Sequence, residues 1–236
     1  YYTTKENLKD TLRQYGVAVI PSVLDSQECQ QMENNMWDYL YYACDYFENP
    51  IDKNDVKTYK NISDLYLNYK HNSLLVNFWN IPHSKFCWDV RQNQKIVNVF
   101  SEIWGCADEE LLVSFDGASI QLPPEYTGFG WGDGKRWYHT DQTFEENNFQ
   151  FVQSWVTGRD IGVGDATLAF LEGSHMYHEE FALEFGVDEW GGRNYCQING
   201  YPKYCMVVLC FSWKRESRCI IARICIQRVF ANFEIK

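Results

Sequence analysis

The spacing of apolar residues changes near residue 105, and this change limits the folds that the chain can adopt. Before it, apolar residues recur three and four positions apart, which is typical of one face of an α-helix. After it, short runs rich in Val, Ile, Phe and Trp are separated by Gly, Pro, Asp and Asn, which is typical of strands joined by turns. The pattern therefore predicts a mainly β chain of the α+β class, with a helical N-terminal layer packed on an antiparallel sandwich or open barrel.

Capping signals predict where the first two helices begin. Thr3 and Glu6 have the spacing of a capping box and predict a short helix that ends near Gly16. Asp25 and the glutamate three residues later repeat this spacing. The apolar residues that follow recur at helical spacing, so a second, amphipathic helix is predicted over residues 26–46.

The remaining elements are predicted from shorter patterns. Residues 92–104 predict a helix that Gly105 stops, whereas the polar stretch 47–75 is predicted to be irregular. The β-prone runs are LLVSFDGASIQLPP (111–124), FQFVQSWVTGRDI (149–161), DATLAFLEGSH (165–175) and CMVVLCFSW (205–213).

Composition and charge exclude several classes of partner. The formal net charge of −11 argues against nucleic-acid backbones and anionic membranes. No apolar run reaches the length of about 18 residues that a transmembrane helix needs, and no signal-peptide pattern is present. A hydrophobic content of 45% and an aromatic content of 17% indicate a folded chain. We expect a protein that binds no nucleic acid and does not span a membrane.

The cysteines indicate a reducing compartment. Nine is an odd number, and the sequence has no Cys-x-x-Cys pair. A disulfide framework or a zinc cluster is therefore not indicated. We interpret the cysteines as buried reduced thiols and expect a cytoplasmic protein.

One short motif has the chemistry of a metal site. His139 and Asp141 are two residues apart, and on an extended strand such side chains point to the same face. An imidazole nitrogen and a carboxylate oxygen are two of the three ligands of the 2-His-1-carboxylate triad that binds Fe(II). The motif alone is short, so its surroundings decide its meaning.

Three longer segments around this motif resemble the phytanoyl-CoA dioxygenase-like branch of the Fe(II)/2-oxoglutarate-dependent oxygenases. YGVAVIPSVLDSQECQQM is similar to the N-terminal signature of that family. SIQLPPEYTGFGWGDGKRWYHTDQ resembles the strand and loop that lead into its iron-binding His-x-Asp. VQSWVTGRDIGVGDATLAFLEGSH resembles its next two strands, which end in a Gly-Ser-His turn. The resemblance runs from about residue 10 to residue 178.

This resemblance implies a fold, two cofactors and a set of site residues. The fold would be a double-stranded β-helix, a jelly-roll barrel supported by N-terminal helices. Fe(II) would be bound by His139 and Asp141. The second cofactor, 2-oxoglutarate, would contact Gln121 and Trp155.

A carboxylate of 2-oxoglutarate usually needs an arginine, because a guanidinium group can donate two charge-assisted hydrogen bonds to it. Arg218, Arg223 and Arg228 lie on an apolar, β-like run near the end of the chain. Arg218 lies at the start of that run, as the family arginine does, and is the predicted cofactor-binding residue.

The predicted organisation is a single domain over residues 1–236. Residues 1–105 would form the helical support layer and residues 106–236 the jelly-roll core, because no repeat or linker divides the chain. From about residue 204 the tail is atypical, with six basic residues against two acids and four of the nine cysteines.

The family pattern also includes a second histidine on a late strand, and this chain has no histidine after His178. Three accounts are open. Another residue, such as His175 or His178, completes the site; the chain is a degenerate member of the family; or the atypical tail is not the native one. We favour the second and third accounts.

The expected activity follows from the resemblance. The chain would be an Fe(II)- and 2-oxoglutarate-dependent dioxygenase that hydroxylates an unidentified small-molecule or lipid-like substrate. The alternative is a catalytically degenerate jelly-roll that serves as a binding or structural protein.

Overall fold

The computed structural model describes most of the first half of the chain and separate parts of the second half. The described residues are 1–45, 47–67, 79–115, 117–128, 139–140, 152–161, 170, 172–177, 179–180, 183, 196–197 and 221–231. For 139–140, 196–197 and 221–231, the backbone alone is described.

The chain divides into two compact units, and each is built from three separated segments. The first unit contains residues 1–21, 135–150 and 167–211; the second contains residues 22–134, 151–166 and 212–236. Neither unit is a continuous stretch of sequence. The single-domain organisation stays a prediction.

The helices lie mainly in the first half of the chain. They are α1 Leu8–Tyr15, α2 Ser26–Cys44, α3 Ser63–Leu67, α4 Lys85–Arg91, α5 Gln94–Trp104 and α6 Pro124–Thr127. Short 3₁₀ turns occupy Val56–Ile62, Ile81–His83, Asp108–Glu110 and Ser174–Tyr177.

The capping box predicted for α2 is confirmed. Oδ1 of Asp25 accepts hydrogen bonds from the backbone N–H groups of Gln27 at 3.0 Å and Glu28 at 2.9 Å. The Glu28 carboxylate accepts in return from the backbone N–H of Asp25 at 2.8 Å. These bonds satisfy helix-terminal donors that would otherwise lack partners, so α2 begins where the sequence predicts.

The predicted start of α1 is wrong, whereas its predicted end is confirmed. Thr3 does not cap the helix, because its backbone N–H donates to the carbonyl of Val19 in a short pairing of the two segments. The helix begins at Leu8, and its cap position is Asn7, which lies four residues after Thr3 and makes no side-chain cap. Gly16 ends it in the left-handed conformation with φ of 73°, and its N–H donates to the Leu12 carbonyl.

The third predicted helix corresponds to α5, which ends at Gly105 with φ of 66° as expected. The prediction that 47–75 is irregular is confirmed for 47–55 and wrong for 56–67. The latter contains a 3₁₀ turn and α3, and Asp55 caps the turn by accepting from the Lys57 backbone N–H at 3.0 Å. Residues 68–75 lie outside the described residues.

A core of aromatic and aliphatic side chains joins the helices of the second unit to its sheet. The side chains of α2 that enter it include Met36 and Leu40, both fully buried. Phe86 of α4 and Ile120 of the sheet are also fully buried in the same cluster. Each buried apolar side chain of this size contributes about 1.5–3 kcal/mol relative to exposure, so this cluster is the main support of the unit.

The described strands all follow α5. They are β1 Leu111–Val113, β2 Ala118–Gln121, β3 His139–Thr140, β4 Val152–Thr157, β5 Cys196–Gln197 and β6 Ile221–Ala231. Strands β1, β2 and β4 all pair antiparallel with β6, and β3 pairs antiparallel with β5.

Strand β6 is the middle strand of the larger sheet. Strands β1 and β2 pair along one of its edges in a single continuous register, from Leu111 opposite Ala231 to Gln121 opposite Ile221. They are therefore two parts of one interrupted strand. Strand β4 pairs along the other edge, with an irregularity between Val152 and Ser154.

The described residues of the chain contain more helix than strand. The combination of helices with antiparallel strands is confirmed, and helices precede strands except for α6, which follows β2. The mainly β character is wrong for this part of the chain. The long helices α2 and α5 account for the difference. The strands that are described form one four-stranded and one two-stranded sheet and do not close into a barrel.

Candidate functional site

Ser119 and Gln121 form a buried polar pair on the larger sheet. The pair alternates along β2 with Ala118 and Ile120, which are fully buried in the hydrophobic core. Residues two apart on a strand share a face, so Ser119 and Gln121 lie on the face opposite to that core. Gln121 was predicted from the sequence and Ser119 was not, although two polar residues two apart on an otherwise apolar strand are a readable signal.

The Gln121 carboxamide is satisfied at one end. Its Nε2 donates to the Ser119 hydroxyl at 2.9 Å, and the two residues are 5% and 0% exposed. Its Oε1 is buried and has no hydrogen-bond partner among the residues that the structure describes. Buried polar atoms without a partner are uncommon in folded proteins, because no hydrogen bond offsets the free-energy cost of removing the atom from water. This atom therefore indicates a position where a ligand group can bind.

Trp155 lies on the same sheet but does not touch Gln121. Trp155 pairs with Cys225 of β6, and Gln121 pairs with Ile221, four residues away along that strand. With about 4.8 Å between strands and about 3.3 Å per residue, the Cα atoms of Gln121 and Trp155 are separated by roughly 16 Å. A small molecule that contacts both side chains has to lie between them.

The predicted arginine, Arg218, lies outside the described residues. Of the two alternatives on the same run, Arg223 has a defined register position in β6. It pairs with Ser119 of β2 on one side and with Thr157 of β4 on the other. Arg223 is therefore directly opposite Ser119, one of the two residues of the buried polar pair.

The backbone at His139 is extended, as the sequence predicts. His139 of β3 pairs with Gln197 of β5, and Thr140 pairs with Cys196. This short ladder belongs to the first unit. The His139 side chain and all of Asp141 lie outside the described residues, so their assignment as iron ligands stays a prediction.

His175 has a structural position at the end of α1. Its Nε2 lies 2.9 Å from the Arg13 carbonyl, and its ring packs so closely on Gly16 that a Cβ there would lie 2.4 Å from Nδ1. In the same turn, the backbone N–H of Gly173 donates to the Tyr15 carbonyl at 3.1 Å. The Gly-Ser-His turn thus binds the terminal carbonyls of α1, which disfavours His175 as a metal ligand. His178 lies outside the described residues.

Among the residues that the structure describes, no group of three or more His, Cys, Asp or Glu side chains could hold a metal ion. The His139 side chain and Asp141 are not among these residues. No helix in the described part of the chain is long and apolar enough to cross a membrane.

Comparisons with known proteins identify the family. The family model for phytanoyl-CoA dioxygenase (PhyH) matches residues 12–204. A curated relative, "Ava biosynthesis cluster protein O" from Aspergillus versicolor, is 24% identical over 186 residues, which are 78% of this chain and 56% of that protein. This chain therefore spans little more than half of the relative's length. No solved structure gives a significant match. Since the family model covers most of the sequence, including the His-x-Asp motif, the chain belongs to the phytanoyl-CoA dioxygenase family.

Proposed function

We propose that this chain is an Fe(II)- and 2-oxoglutarate-dependent dioxygenase that hydroxylates a small-molecule or lipid-like substrate. The observation that carries the proposal is the family match over residues 12–204, which includes His139 and Asp141. The family consists of dioxygenases that bind iron and 2-oxoglutarate and have a jelly-roll fold. We propose the same jelly-roll for this chain, with its middle sheet strand supplied by β6.

His139 and Asp141 are the proposed iron ligands. The extended backbone at His139 and Thr140 supports this assignment, because the His-x-Asp motif needs an extended segment to place its two side chains on one face; Asp141 itself lies outside the described residues. A neutral imidazole and a carboxylate are a donor set that suits Fe(II). Bound with 2-oxoglutarate, the iron supplies the oxidising power for hydroxylation by O₂. The residues of the chain hold and orient the reactants and exclude water from them.

Gln121, Trp155 and Arg218 are the proposed residues for 2-oxoglutarate. The buried, unpartnered Oε1 of Gln121 supports a ligand position at the end of β2. The register of β6 adds Arg223 as a competing arginine, because it pairs with Ser119. Separate Arg218→Leu and Arg223→Leu variants distinguish the two, since the variant that removes the carboxylate partner weakens 2-oxoglutarate binding and the other does not.

The absence of a histidine after His178 favours two accounts of the remaining ligand position. In the first, the site has two protein ligands and holds iron more weakly than a complete triad. In the second, the tail beyond the family match at residue 204 differs from the native one. Reading the coding DNA across the last 35 or so codons in all frames separates them, since a histidine followed by an arginine in a shifted frame would support the second account.

The same absence also favours a second candidate function, a binding or structural protein that has lost its chemistry. Adding Fe(II) and 2-oxoglutarate to the protein without oxygen distinguishes the two functions. A dioxygenase gives a metal-to-ligand charge-transfer band in the visible. If no band forms at any tested concentration of either component, the proposed dioxygenase function is wrong and the binding protein is supported.

A further inference from the structure

The hydrogen bond between Ser119 and Gln121 can be formed in two ways. In the arrangement described above, Nε2 of Gln121 donates to Oγ of Ser119 and leaves Oε1 without a partner. If the carboxamide is turned by half a rotation, the Ser119 hydroxyl donates to Oε1 instead. Nε2 then occupies the unpartnered position and presents its N–H groups there. A serine hydroxyl supports both arrangements, because it can donate or accept.

The chemistry of the ligand selects between these arrangements. At neutral pH, 2-oxoglutarate has two carboxylates and a ketone, so every polar atom that it offers is an acceptor. An unpartnered Oε1 would repel such a group, whereas an unpartnered Nε2 would donate to it. The half-rotated carboxamide is therefore the arrangement that a bound 2-oxoglutarate requires at this position.

Burial makes this choice depend on Ser119. Ser119 is fully buried and Gln121 is 5% exposed, so water does not readily replace either partner. Without the hydroxyl, the inner end of the carboxamide would be buried without a hydrogen bond in both arrangements. The half-rotated arrangement would then lose the bond that holds Oε1 inward and Nε2 outward.

We infer that Ser119 is a positioning residue: its hydroxyl donates to Oε1 of Gln121, so that Nε2 of Gln121 donates to a carboxylate oxygen of 2-oxoglutarate. This inference rests on the proposed function. It adds a residue that sequence analysis did not select, and it defines which end of the Gln121 amide meets the cofactor.

The test is a double-mutant cycle on 2-oxoglutarate binding, with Ser119→Ala, Gln121→Met and both together. The dissociation constant is obtained without oxygen, by titrating the Fe(II) protein with 2-oxoglutarate and following the visible band. The melting temperature of each variant is measured without ligand. We expect Ser119→Ala to raise the dissociation constant by about two- to tenfold, as loss of one hydrogen bond does.

In the Gln121→Met background, Ser119→Ala is expected to leave the dissociation constant unchanged, because no carboxamide remains to be oriented. A purely structural role of Ser119 would lower the melting temperature in both backgrounds without this dependence on Gln121. Equal 2-oxoglutarate affinity of the wild type and Ser119→Ala overturns the inference and leaves the proposed function intact. No 2-oxoglutarate binding by the wild type overturns both.

Discussion

Nζ of Lys95 lies 2.8 Å from Oδ2 of Asp25, the residue that caps α2. The same Nζ lies 2.6 Å from Oε2 of Glu28, which completes the capping box. Asn93, the cap of α5, also donates to Glu28 at 2.9 Å. The N-termini of α2 and α5 are therefore joined by one group of polar side chains.

This group predicts how stability depends on pH. The Lys95 side chain and the Glu28 backbone N–H lower the pKa of the Asp25 carboxyl to about 2. A carboxyl with a lower pKa in the folded state stabilises the fold above its unfolded pKa of about 3.9, and this contribution is lost as the pH falls through about 2. Lys95→Met should therefore lower the melting temperature at pH 6, and the difference from the wild type should shrink toward pH 2.

Lys85→Met is the matched control, because Lys85 forms an exposed pair with Asp89 within α4. Thermal melts of both variants between pH 6 and pH 2 make the comparison. If the difference in melting temperature between Lys95→Met and the wild type stays constant over this pH range, the Lys95 interactions do not cause the pH dependence.

A second prediction concerns the ion pair between Glu33 of α2 and Arg159, which follows β4. Nε of Arg159 lies 3.0 Å from Oε2 of Glu33, and Glu33 is only 7% exposed. Removing the arginine leaves a buried carboxylate without its partner, whereas removing both leaves no buried charge. We expect Arg159→Leu to lower the free energy of unfolding by about 1–3 kcal/mol and Glu33→Leu with Arg159→Leu to lower it less.

Arg13→Leu is the control for this prediction, since Arg13 forms an exposed pair with Asp10 and should change the free energy of unfolding by less than about 1 kcal/mol. Urea unfolding of the four proteins gives these values. Equal losses for Arg13→Leu and Arg159→Leu would show that burial of Glu33 does not matter.

A third prediction compares two glycines that end helices. Gly16 and Gly128 both have positive φ, 73° and 78°, so alanine is strained at either position. A Cβ at Gly16 would also meet Nδ1 of His175 at 2.4 Å, whereas a Cβ at Gly128 meets no atom of the described residues within 4 Å. We expect Gly128→Ala to cost about 1–2 kcal/mol of unfolding free energy and Gly16→Ala to cost more.

Adding His175→Ala tests the cause of this difference. If the clash with the imidazole ring explains the larger loss, the second substitution should recover part of it in the Gly16→Ala protein. If Gly16→Ala and Gly128→Ala lose equal amounts of unfolding free energy, the His175 ring moves aside without a free-energy cost.

Local signals in the sequence predicted the elements whose causes are local. Asp25 caps α2 and Gly105 ends α5 because the required bonds lie within a few residues of each cap. Thr3 has the same type of signal, but its backbone pairs with Val19 instead. A pairing over that separation is not visible in a short pattern.

The sheet and the candidate site also show that local features could be predicted from the sequence and long-range contacts could not. The runs that contain β2 and β4 were predicted from composition, and the run that contains β6 was described as β-like. The pairing of β6 with both strands, across about 70–100 residues of chain, was not predicted. Gln121 was selected through a resemblance to a family. Its bond to Ser119 and the unpartnered Oε1 became visible only when the strand placed both side chains on one face.

The central claim is that His139 and Asp141 ligate iron. The most direct test measures the Fe(II) affinity of His139→Ala and Asp141→Ala without oxygen, with His175→Ala as the control. If His139 and Asp141 ligate iron, each of the first two variants should lose Fe(II) binding by at least about tenfold. His175→Ala should bind as the wild type does, because its ring contacts the end of α1. Equal Fe(II) affinity of the wild type, His139→Ala and Asp141→Ala would contradict the iron site.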